Sequence, residues 1–338
     1  MPSPLTLADA IARLQRPGVF EDFSALTGEA LFAVDLGADA AWPDELALAV
    51  AREALAELPC PSVALAPDLL EPAAEALVGA FDVRVETRVE LAEVERAARA
   101  QPLAALALVQ LLRGAAGRSV HEGLVAESWV YSVLQSGPEF GAWLAQRGPA
   151  RASEPPDRPP VRVERGERRL EITLDRAEKR NAYSSAMRDA LCAALEVAVL
   201  DGDVERLVLR GEGPVFCSGG DLDEFGTTPD PATAHAVRST RHPARWLHAL
   251  EARTEVFVHG ACVGAGIELP AFAARVVARP GAWFQLPELS MGLVPGAGGT
   301  VSLTRRVGRQ RCARLALTGA RLDAPTALEW GLVDEIAA

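Results

Sequence analysis

The chain has 338 residues, of which 49% are hydrophobic and 24% charged, and its formal net charge is −12. This acidic balance argues against a general nucleic-acid-binding protein, and no apolar run reaches the roughly 18–20 residues of a transmembrane helix. The amino-terminal residues lack the basic and apolar regions of a secretion signal, and the five cysteines are too scattered for a zinc site or a disulfide framework. We therefore expect a cytoplasmic protein, and its length predicts two domains.

The first part of the chain alternates patterns typical of strands and helices. We predict, in chain order, a helix over 5–14, a strand over 31–36, a helix over 44–58, a strand over 62–66, a helix over 69–81 and a strand over 82–86. The stretch from 91 to 146 is helical in pattern, and its aromatic residues Trp129, Tyr131, Phe140 and Trp143 are expected to anchor packing. A small α/β layer followed by helices is therefore expected over 1–148.

A segment rich in proline and charge, residues 149–160, follows these helices. Such residues cannot fill a core, so we interpret the segment as an extended linker. It separates the first domain, 1–148, from a second, 161–338.

The second domain repeats strand–turn–helix units. We predict a hairpin of strands 161–165 and 169–174 around Gly166, a helix over 185–200, a strand over 206–210, a helical region over 231–252, a strand over 255–259, a helix that begins near Ala265, strands over 275–278 and 282–285, and three short helices. This order is typical of an α/β fold.

Two glutamates of this domain lie in glycine-rich segments. Glu268 lies in HGACVGAGIEL, residues 259–269, and Glu288 lies in PELSMGLVPGAGGT, residues 287–300. Two carboxylates can divide general acid and base work, and glycine-rich turns expose backbone N–H groups to a developing oxyanion. The combination predicts chemistry at a thioester carbonyl.

Residues 161–338 resemble the crotonase superfamily, also called the enoyl-CoA hydratase/isomerase family. The matching segments, in order, are LDRAEKRNA (174–182), FCSGGDL (216–222), GACVGAGIEL (260–269), PELSMGLVPGAGGT (287–300) and LTGARLDA (317–324). The resemblance implies an α/β spiral of ββα units that assembles as a homo-oligomer, a trimer or a hexamer. It also implies an acyl-CoA thioester substrate, with CoA as part of the substrate and no metal or redox cofactor.

The resemblance also assigns roles to residues of the proposed site. The backbone N–H groups of Ser218 and Ala265 would stabilise the thioester enolate. Glu288 would exchange the proton at Cα, and Glu268 would orient or activate the water that adds at Cβ. The expected reaction is therefore hydration of a 2-enoyl-CoA.

A loop and two turns are expected to contact the CoA part of the substrate. The residues are Arg176, Lys179, Arg180, Ala182, Gly219, Gly220, Asp221 and Gly264. The three basic side chains give a physical reason, because they attract phosphate. Asp221 is also interpreted as a turn or helix-cap residue, and no catalytic role is expected for any histidine.

Three features depart from the family pattern. Pro270 lies two residues after Glu268, inside the expected helix, and Arg275 lies where the family commonly has an aspartate. The chain also ends at Ala338, where relatives continue with several helices. Residues 101–147 faintly resemble those helices, so we hypothesise that the amino-terminal half is a degenerate crotonase-like unit whose helices cap the core of the same or a neighbouring chain.

Three alternative functions remain open. The position of Glu288 alone can shuttle a proton in isomerases of the family, so an enoyl-CoA isomerase is the nearest alternative. The amino-terminal extension is compatible with a cofactor-free aryl-acetyl-CoA dioxygenase, and Pro270 is compatible with a non-catalytic acyl-CoA-binding paralogue. The acyl group is expected to be selected by residues 223–258.

Overall fold

A computed structural model describes residues 3–37, 42–67, 72–149 and 158–337. The first four strands form a parallel sheet and are hydrogen-bonded in chain order: β1 (Leu5–Thr6), β2 (Phe32–Asp35), β3 (Ser62–Leu65) and β4 (Val83–Val85). Parallel neighbours need crossover connections, and these contain α1 (Leu7–Leu14), α2 (Val19–Asp22), α3 (Glu45–Glu57) and α4 (Pro72–Val78). An apolar core around Phe23, Phe32 and Phe81 belongs to this layer.

Four helices follow, which we call the cap helices: α5 (Arg88–Ala100), α6 (Pro102–Arg113), α7 (Val120–Gln135) and α8 (Pro138–Arg147). Capping boxes start two of them, because Thr87 and Glu90 satisfy each other's backbone N–H groups at α5, and Ser119 and Glu122 do so at α7. A proline at the start of α6 and of α8 sets the helical φ angle without losing an intrahelical hydrogen bond.

The remaining strands form two sheets. They are β5 (Val161–Arg165), β6 (Arg169–Leu174), β7 (Arg206–Gly211), β8 (Thr254–Val258), β9 (Ala261–Val263), β10 (Arg275–Ala278), β11 (Trp283–Gln285), β12 (Leu322–Asp323) and β13 (Glu335–Ile336). The larger sheet has the order β13-β10-β8-β7-β6-β5, parallel except for the β5–β6 hairpin, and the smaller has the order β12-β11-β9. The consecutive strands β8 and β9 enter different sheets, as do β10 and β11.

The helices of the second half are α9 (Ser185–Leu200), α10 (Pro231–Thr240), α11 (Pro243–Ala249), α12 (Ala265–Glu268), α13 (Gly299–Val307), α14 (Arg309–Thr318) and α15 (Ala324–Glu329). The expected helix at Ala265 is therefore confirmed but lasts only four residues. Pro270 lacks the N–H that would continue it, and a 3-10 turn over Pro270–Phe272 follows instead.

One apolar core joins the cap helices to the second half. Leu108 and Leu124 of the cap helices belong to the same buried cluster as Ile172 and Ile267. Burial of such side chains stabilises the fold by roughly 1.5–3 kcal/mol each. The cap helices are therefore part of the structure that supports the second half.

A buried ionic network links the first sheet to both regions. The Asp82 carboxylate accepts a hydrogen bond from Arg113 of α6 at 2.6 Å and from Arg309 of α14 at 3.0 Å. Arg113 also donates to the carbonyl oxygens of Leu58 and Cys60. Since Asp82 is almost fully buried, the two arginine charges, with the N–H and hydroxyl of Ser62 that also donate to it, compensate its desolvation.

Most predicted elements are confirmed to within two residues, including the hairpin around Gly166 and the helix over 185–200. The helical region 231–252 is two helices, because Pro243 starts α11, and the stretch 91–146 is four helices. The prediction that Trp129 anchors packing is wrong, since this residue is 61% exposed. Strands β1, β9, β12 and β13 were not predicted.

Part of the proposed linker lies outside the described residues, since 150–157 is not described. The domain boundary over 149–160 therefore stays a prediction. Within the described ranges, no helix is long and apolar enough to cross a membrane.

Candidate active site

The two glutamates that the sequence singled out converge on one glycine. Glu268 ends α12, and Glu288 begins a 3-10 turn over Glu288–Met291; both are buried. A Cβ atom at Gly264 would lie 2.6 Å from Glu288 Oε1 and 3.7 Å from Glu268 Oε1, and the φ angle there is +50°. Only glycine meets both conditions, so Gly264 permits the close approach of the two carboxylates.

Glu268 is held by the backbone of a turn. Its Oε2 accepts hydrogen bonds from the N–H groups of Ala297 at 2.7 Å and Gly299 at 2.9 Å. Burial raises the pKa of Glu268 to about 7, and these N–H donors oppose the rise because they stabilise the charged form. These two donors therefore make Glu268 easier to ionise than a carboxyl group buried without donors.

Glu288 has a different environment. Its Oε2 is buried and has no hydrogen-bond partner in the part of the chain that the structure describes. Burial, followed by the charge of Glu268, raises the pKa of Glu288 well above its usual range. Of the two glutamates, Glu288 is therefore the one that holds a proton.

A third buried carboxylate comes from the cap helices. Glu127 of α7 accepts hydrogen bonds from the Gly298 N–H at 2.7 Å, the Thr300 N–H at 2.9 Å and the Thr300 hydroxyl at 2.6 Å. Burial and then the charge of Glu268 raise the pKa of Glu127 to about 8, while the three donors lower it. Two of these donors are N–H groups that can only donate, so they favour the carboxylate form.

The 297–300 turn is therefore shared between two carboxylates. Its successive N–H groups alternate, because residues 297 and 299 donate to Glu268 and residues 298 and 300 donate to Glu127. Any movement of Glu127 would move the donors that hold Glu268. The cap helices thus position a residue of the proposed catalytic pair.

Tyr131 of α7 covers the residue before this turn. A Cβ atom at Gly296 would lie 2.5 Å from Tyr131 Cδ2, so a larger residue would displace the ring. The guanidinium of Arg238 lies over the Tyr131 ring, with its Cζ atom 4.7 Å from the ring centre. Burial raises the pKa of Tyr131, so its phenol stays protonated at neutral pH.

The predicted oxyanion donors differ in availability. The Ala265 N–H starts α12 and donates to no other group of the described ranges, and Ala265 lines the cavity. The Ser218 N–H donates to the Arg180 carbonyl oxygen at 3.0 Å. Gly220, rather than Ser218 or Gly219, lines the cavity. The role of Ser218 stays a prediction, and it requires this N–H to exchange partners.

A cavity of about 190 Å³ lies between the cap helices and the second half. Its lining residues include Tyr131, Gln135, Arg188, Gly220, Asp221, Glu224, Arg238, Arg241, His242, Ala265, Glu268 and Glu288. Capping of the core by the amino-terminal helices of the same chain is thereby confirmed. Their descent from a crotonase-like unit stays a prediction.

The loop expected to contact CoA is held by ion pairs. Arg176 is buried and donates to Asp221 Oδ2 at 2.8 Å, so its charge is already paired. Lys179 is exposed and pairs with Asp223 at 3.0 Å. Asp221 also accepts from the Asp223 N–H and caps the following turn, as predicted. Of the loop's basic residues, Arg176 is thus the least able to bind phosphate.

Arg180 and Asn181 form the turn of the same loop. The Asn181 side chain donates to three carbonyl oxygens and accepts from the Arg176 N–H. Arg180 and Asn181 have left-handed φ angles of 53°. Ala182 is buried behind them. Their roles in CoA binding stay predictions.

The remaining reactive side chains do not form a second centre. Burial raises the pKa of the Cys217 and Cys262 thiols, which disfavours the thiolate. His259 bonds to the Gly213 carbonyl oxygen outside the cavity, which agrees with its structural interpretation. Over the described ranges, no group of three or more His, Cys, Asp or Glu side chains could hold a metal ion.

Several cavity residues were not predicted from the sequence. Glu127 was not singled out, Tyr131 was interpreted only as a packing residue, and His242 was given no role. One signal was available, because Glu127 lies on the apolar stripe of α7 that contains Leu124, Tyr131 and Leu134. A carboxylate on such a stripe requires a buried partner.

Comparison with known proteins places the second half among relatives. The sequence model of the enoyl-CoA hydratase/isomerase family matches residues 165–338. A 2,3-dehydroadipyl-CoA hydratase of Escherichia coli K12 is 36% identical over 176 residues, 52% of this chain and 68% of the relative. An enoyl-CoA isomerase/hydratase of Mycosarcoma maydis is 34% identical over 175 residues, 49% of this chain and 64% of the relative.

Solved structures give the same result. The crystal structure of an enoyl-CoA hydratase from Mycobacterium smegmatis matches with a TM-score of 0.50 at 32% identity, covering 54% of this chain and 71% of that chain. The chain thus spans about two thirds of the length of these relatives. The family match leaves the first sheet and the cap helices outside it.

Proposed function

Because the chain belongs to the enoyl-CoA hydratase/isomerase family and has the expected crotonase-type α/β fold in its second half, we propose that it hydrates a 2-enoyl-CoA to a 3-hydroxyacyl-CoA. One observation carries the proposal: two buried glutamates in different environments converge on Gly264, beside the Ala265 N–H. Glu268 has two backbone donors, and Glu288 has an unpartnered oxygen.

The proposed reaction divides acid and base work between these residues. Ionised Glu268 takes a proton from water while the water oxygen bonds to Cβ, and the thioester becomes an enolate. Protonated Glu288 then gives its proton to Cα, and a proton returns from Glu268 to Glu288 before the next turnover. General acid and base groups typically contribute about 10²–10⁴-fold each.

The thioester oxygen requires donors while it carries negative charge. The Ala265 N–H stands at the start of α12, where the aligned peptide dipoles of the turn favour an anion. In our proposal the Ser218 N–H supplies the second hydrogen bond and releases the Arg180 carbonyl oxygen when substrate binds. The reaction itself requires neither a redox cofactor nor a metal.

The remaining parts of the proposal follow from the family resemblance. Lys179, Arg180 and Ala182, with Gly219 and Gly220, would contact the CoA part of the substrate. We also propose a cytoplasmic homo-oligomer.

Crotonyl-CoA hydration, followed by the loss of enoyl-thioester absorbance, tests the proposal. We expect turnover by the wild type and a loss of about 10²-fold or more in kcat for both Glu268→Gln and Glu288→Gln. Glu329→Gln, an exposed change at the end of α15, is the matched control and should not change kcat. A wild type that binds butyryl-CoA but turns over neither crotonyl-CoA, a 3-enoyl-CoA nor an aryl-acetyl-CoA would favour the non-catalytic paralogue.

Double-bond isomerisation is the second candidate. The unpartnered Oε2 of Glu288 favours it, since one carboxylate can carry a proton between two carbons. Glu268→Gln separates the two functions. Whichever reaction is native, this variant should lose hydration. If isomerisation is the native reaction, the variant should keep most of its 3-enoyl-CoA isomerisation.

A further inference from the structure

One wall of the cavity is basic, and we call Arg188, Arg238, Arg241 and His242 the basic wall. Arg188 has a single carboxylate partner, its neighbour Asp189, which takes only its Nε. Within the described ranges, neither Arg238 nor Arg241 pairs with a carboxylate. The basic wall therefore has N–H donors that the protein does not use.

Arg238 is fixed in place by the cap helices. Its Nε donates to Ser128 Oγ at 2.9 Å, and its Nη2 donates to Ser132 Oγ at 2.5 Å and to the Ser128 carbonyl oxygen at 3.3 Å. Its Nη1 has no partner among the residues that the structure describes. A partly buried guanidinium that is held by neutral groups and keeps free donors is suited to an anionic ligand.

His242 provides an independent observation. It is 5% exposed, and neither of its ring nitrogens has a hydrogen-bond partner in the described part of the chain. Burial, with the nearby charge of Arg238, lowers the pKa of His242 to about 4, so the ring is neutral at physiological pH. An unpartnered buried polar group destabilises the folded protein, and a ligand that bonds to the ring would remove this destabilisation.

The acidic residues of the cavity do not neutralise the basic wall. Asp221 is paired with Arg176, and Glu224 accepts hydrogen bonds from the Ser185 N–H and hydroxyl. Glu268 bonds to the 297–300 turn, and burial raises the pKa of Glu288 so far that its carboxyl group carries no charge for the basic wall. The anion that the basic wall fits must therefore come with the ligand.

We propose that the basic wall binds a carboxylate at the end of the acyl chain, so that the substrates are short 2-enoyl-CoA thioesters whose acyl group ends in a carboxylate. This inference rests on the proposed function. Arg238 stacks on Tyr131, which covers Gly296 next to the turn that holds Glu268. The basic wall thus lies close to the glutamates, where the acyl chain must be. CoA phosphates are the other possible source of an anion.

Two thioesters with six-carbon acyl groups test the proposal: 2,3-dehydroadipyl-CoA, which ends in a carboxylate, and 2-hexenoyl-CoA, which does not. We expect kcat/KM to be at least about tenfold higher for the carboxylated thioester. Arg238→Gln and the more exposed Arg241→Gln should each reduce this ratio severalfold or more. Arg245→Gln is the matched control, because Arg245 is exposed and does not line the cavity, and it should keep the ratio.

Equal kcat/KM values for the two thioesters would overturn the inference and leave hydration intact. Substitutions that weaken both thioesters by the same factor would also overturn it, since they would assign the arginines to the CoA phosphates. If the wild type hydrates neither thioester, calorimetric binding of adipyl-CoA and hexanoyl-CoA decides. A preference for adipyl-CoA that Arg241→Gln removes would support the inference although hydration had failed, and equal affinities would overturn it.

Discussion

Replacing Glu127 by glutamine tests whether the cap helices position the proposed catalytic base. Glu127 accepts three hydrogen bonds from Gly298 and Thr300, and the residues that alternate with them hold Glu268. Glutamine has one carbonyl oxygen and one NH₂ group, so at least one backbone N–H of the turn would face another donor. The turn should then shift away from the position that orients Glu268.

The magnitude follows from the bonds that are lost. Glutamine leaves at least one buried N–H donor of the turn without an acceptor, and an unsatisfied buried donor costs about 1–3 kcal/mol. We expect the free energy of unfolding to fall by about 2 kcal/mol. We expect kcat to fall by about 10–100-fold with little change in KM, because small misplacements of a catalytic group have effects of this size.

The pH dependence separates positioning from a general loss of stability. The charge of Glu127 contributes to the raised pKa of Glu288, so its removal lowers that pKa. The proposed acid then loses its proton at a lower pH, and the alkaline limb of the kcat–pH profile should move to lower pH. Stopped-flow hydration of crotonyl-CoA between about pH 5 and pH 10 measures this shift.

Glu139→Gln is the matched control for this variant. Glu139 is also a cap-helix glutamate, and it accepts hydrogen bonds from the backbone N–H groups of Leu103 at 2.8 Å and Ala104 at 2.9 Å. Unlike Glu127, it does not bond to the 297–300 turn that holds Glu268. It should lose stability without moving the pH profile. A Glu127→Gln enzyme with kcat within twofold of the wild type and an unmoved alkaline limb would refute the positioning role.

Four further outcomes are expected. Gly264→Ala should lower kcat at least about 10²-fold in the same assay, because its Cβ would lie 2.6 Å from Glu288 Oε1 in a left-handed backbone. Asp82→Asn should lower the free energy of unfolding in urea by about 3 kcal/mol, because two partly buried arginines lose their counter-charge. The raised pKa of Glu127 means that the folded state keeps a proton that the unfolded state loses, so stability in urea should fall as pH rises from about 4.5 to about 8, and less so in Glu127→Gln. Deletion of 1–149 should give an insoluble or inactive remainder, and a soluble, active one would contradict the capping role.

The proposed catalytic pair could be predicted from the sequence because its determinants are local. Glu268 and Glu288 each lie a few residues from the glycines that shape their turns. For Glu268 one of these is Gly264, four residues earlier in the chain. Periodicity likewise gave α9 its bounds, because apolar residues recur on one face of a single helix. Such patterns need no knowledge of distant contacts.

The contribution of the cap helices could not be predicted in the same way. Glu127 lies 171 residues before Gly298 in the chain, and their hydrogen bond exists only once two separately coded segments have packed. The exposed position of Trp129 shows the same limit, since helical periodicity places a residue on a face but does not say which face is covered. His242 gave no signal, because nothing local shows that both its ring nitrogens lack partners.

The cap helices connect the two proposals about this site. Through Glu127 they hold the turn that positions Glu268, and through Ser128 and Ser132 they hold Arg238 in the basic wall. Reaction geometry and acyl-group selection would therefore depend on one short stretch of α7. Because contacts follow from packing rather than from chain order, helices that precede the second half can complete its cavity as well as helices that follow it, and changes in α7 that leave both glutamates untouched should still alter which thioester is used.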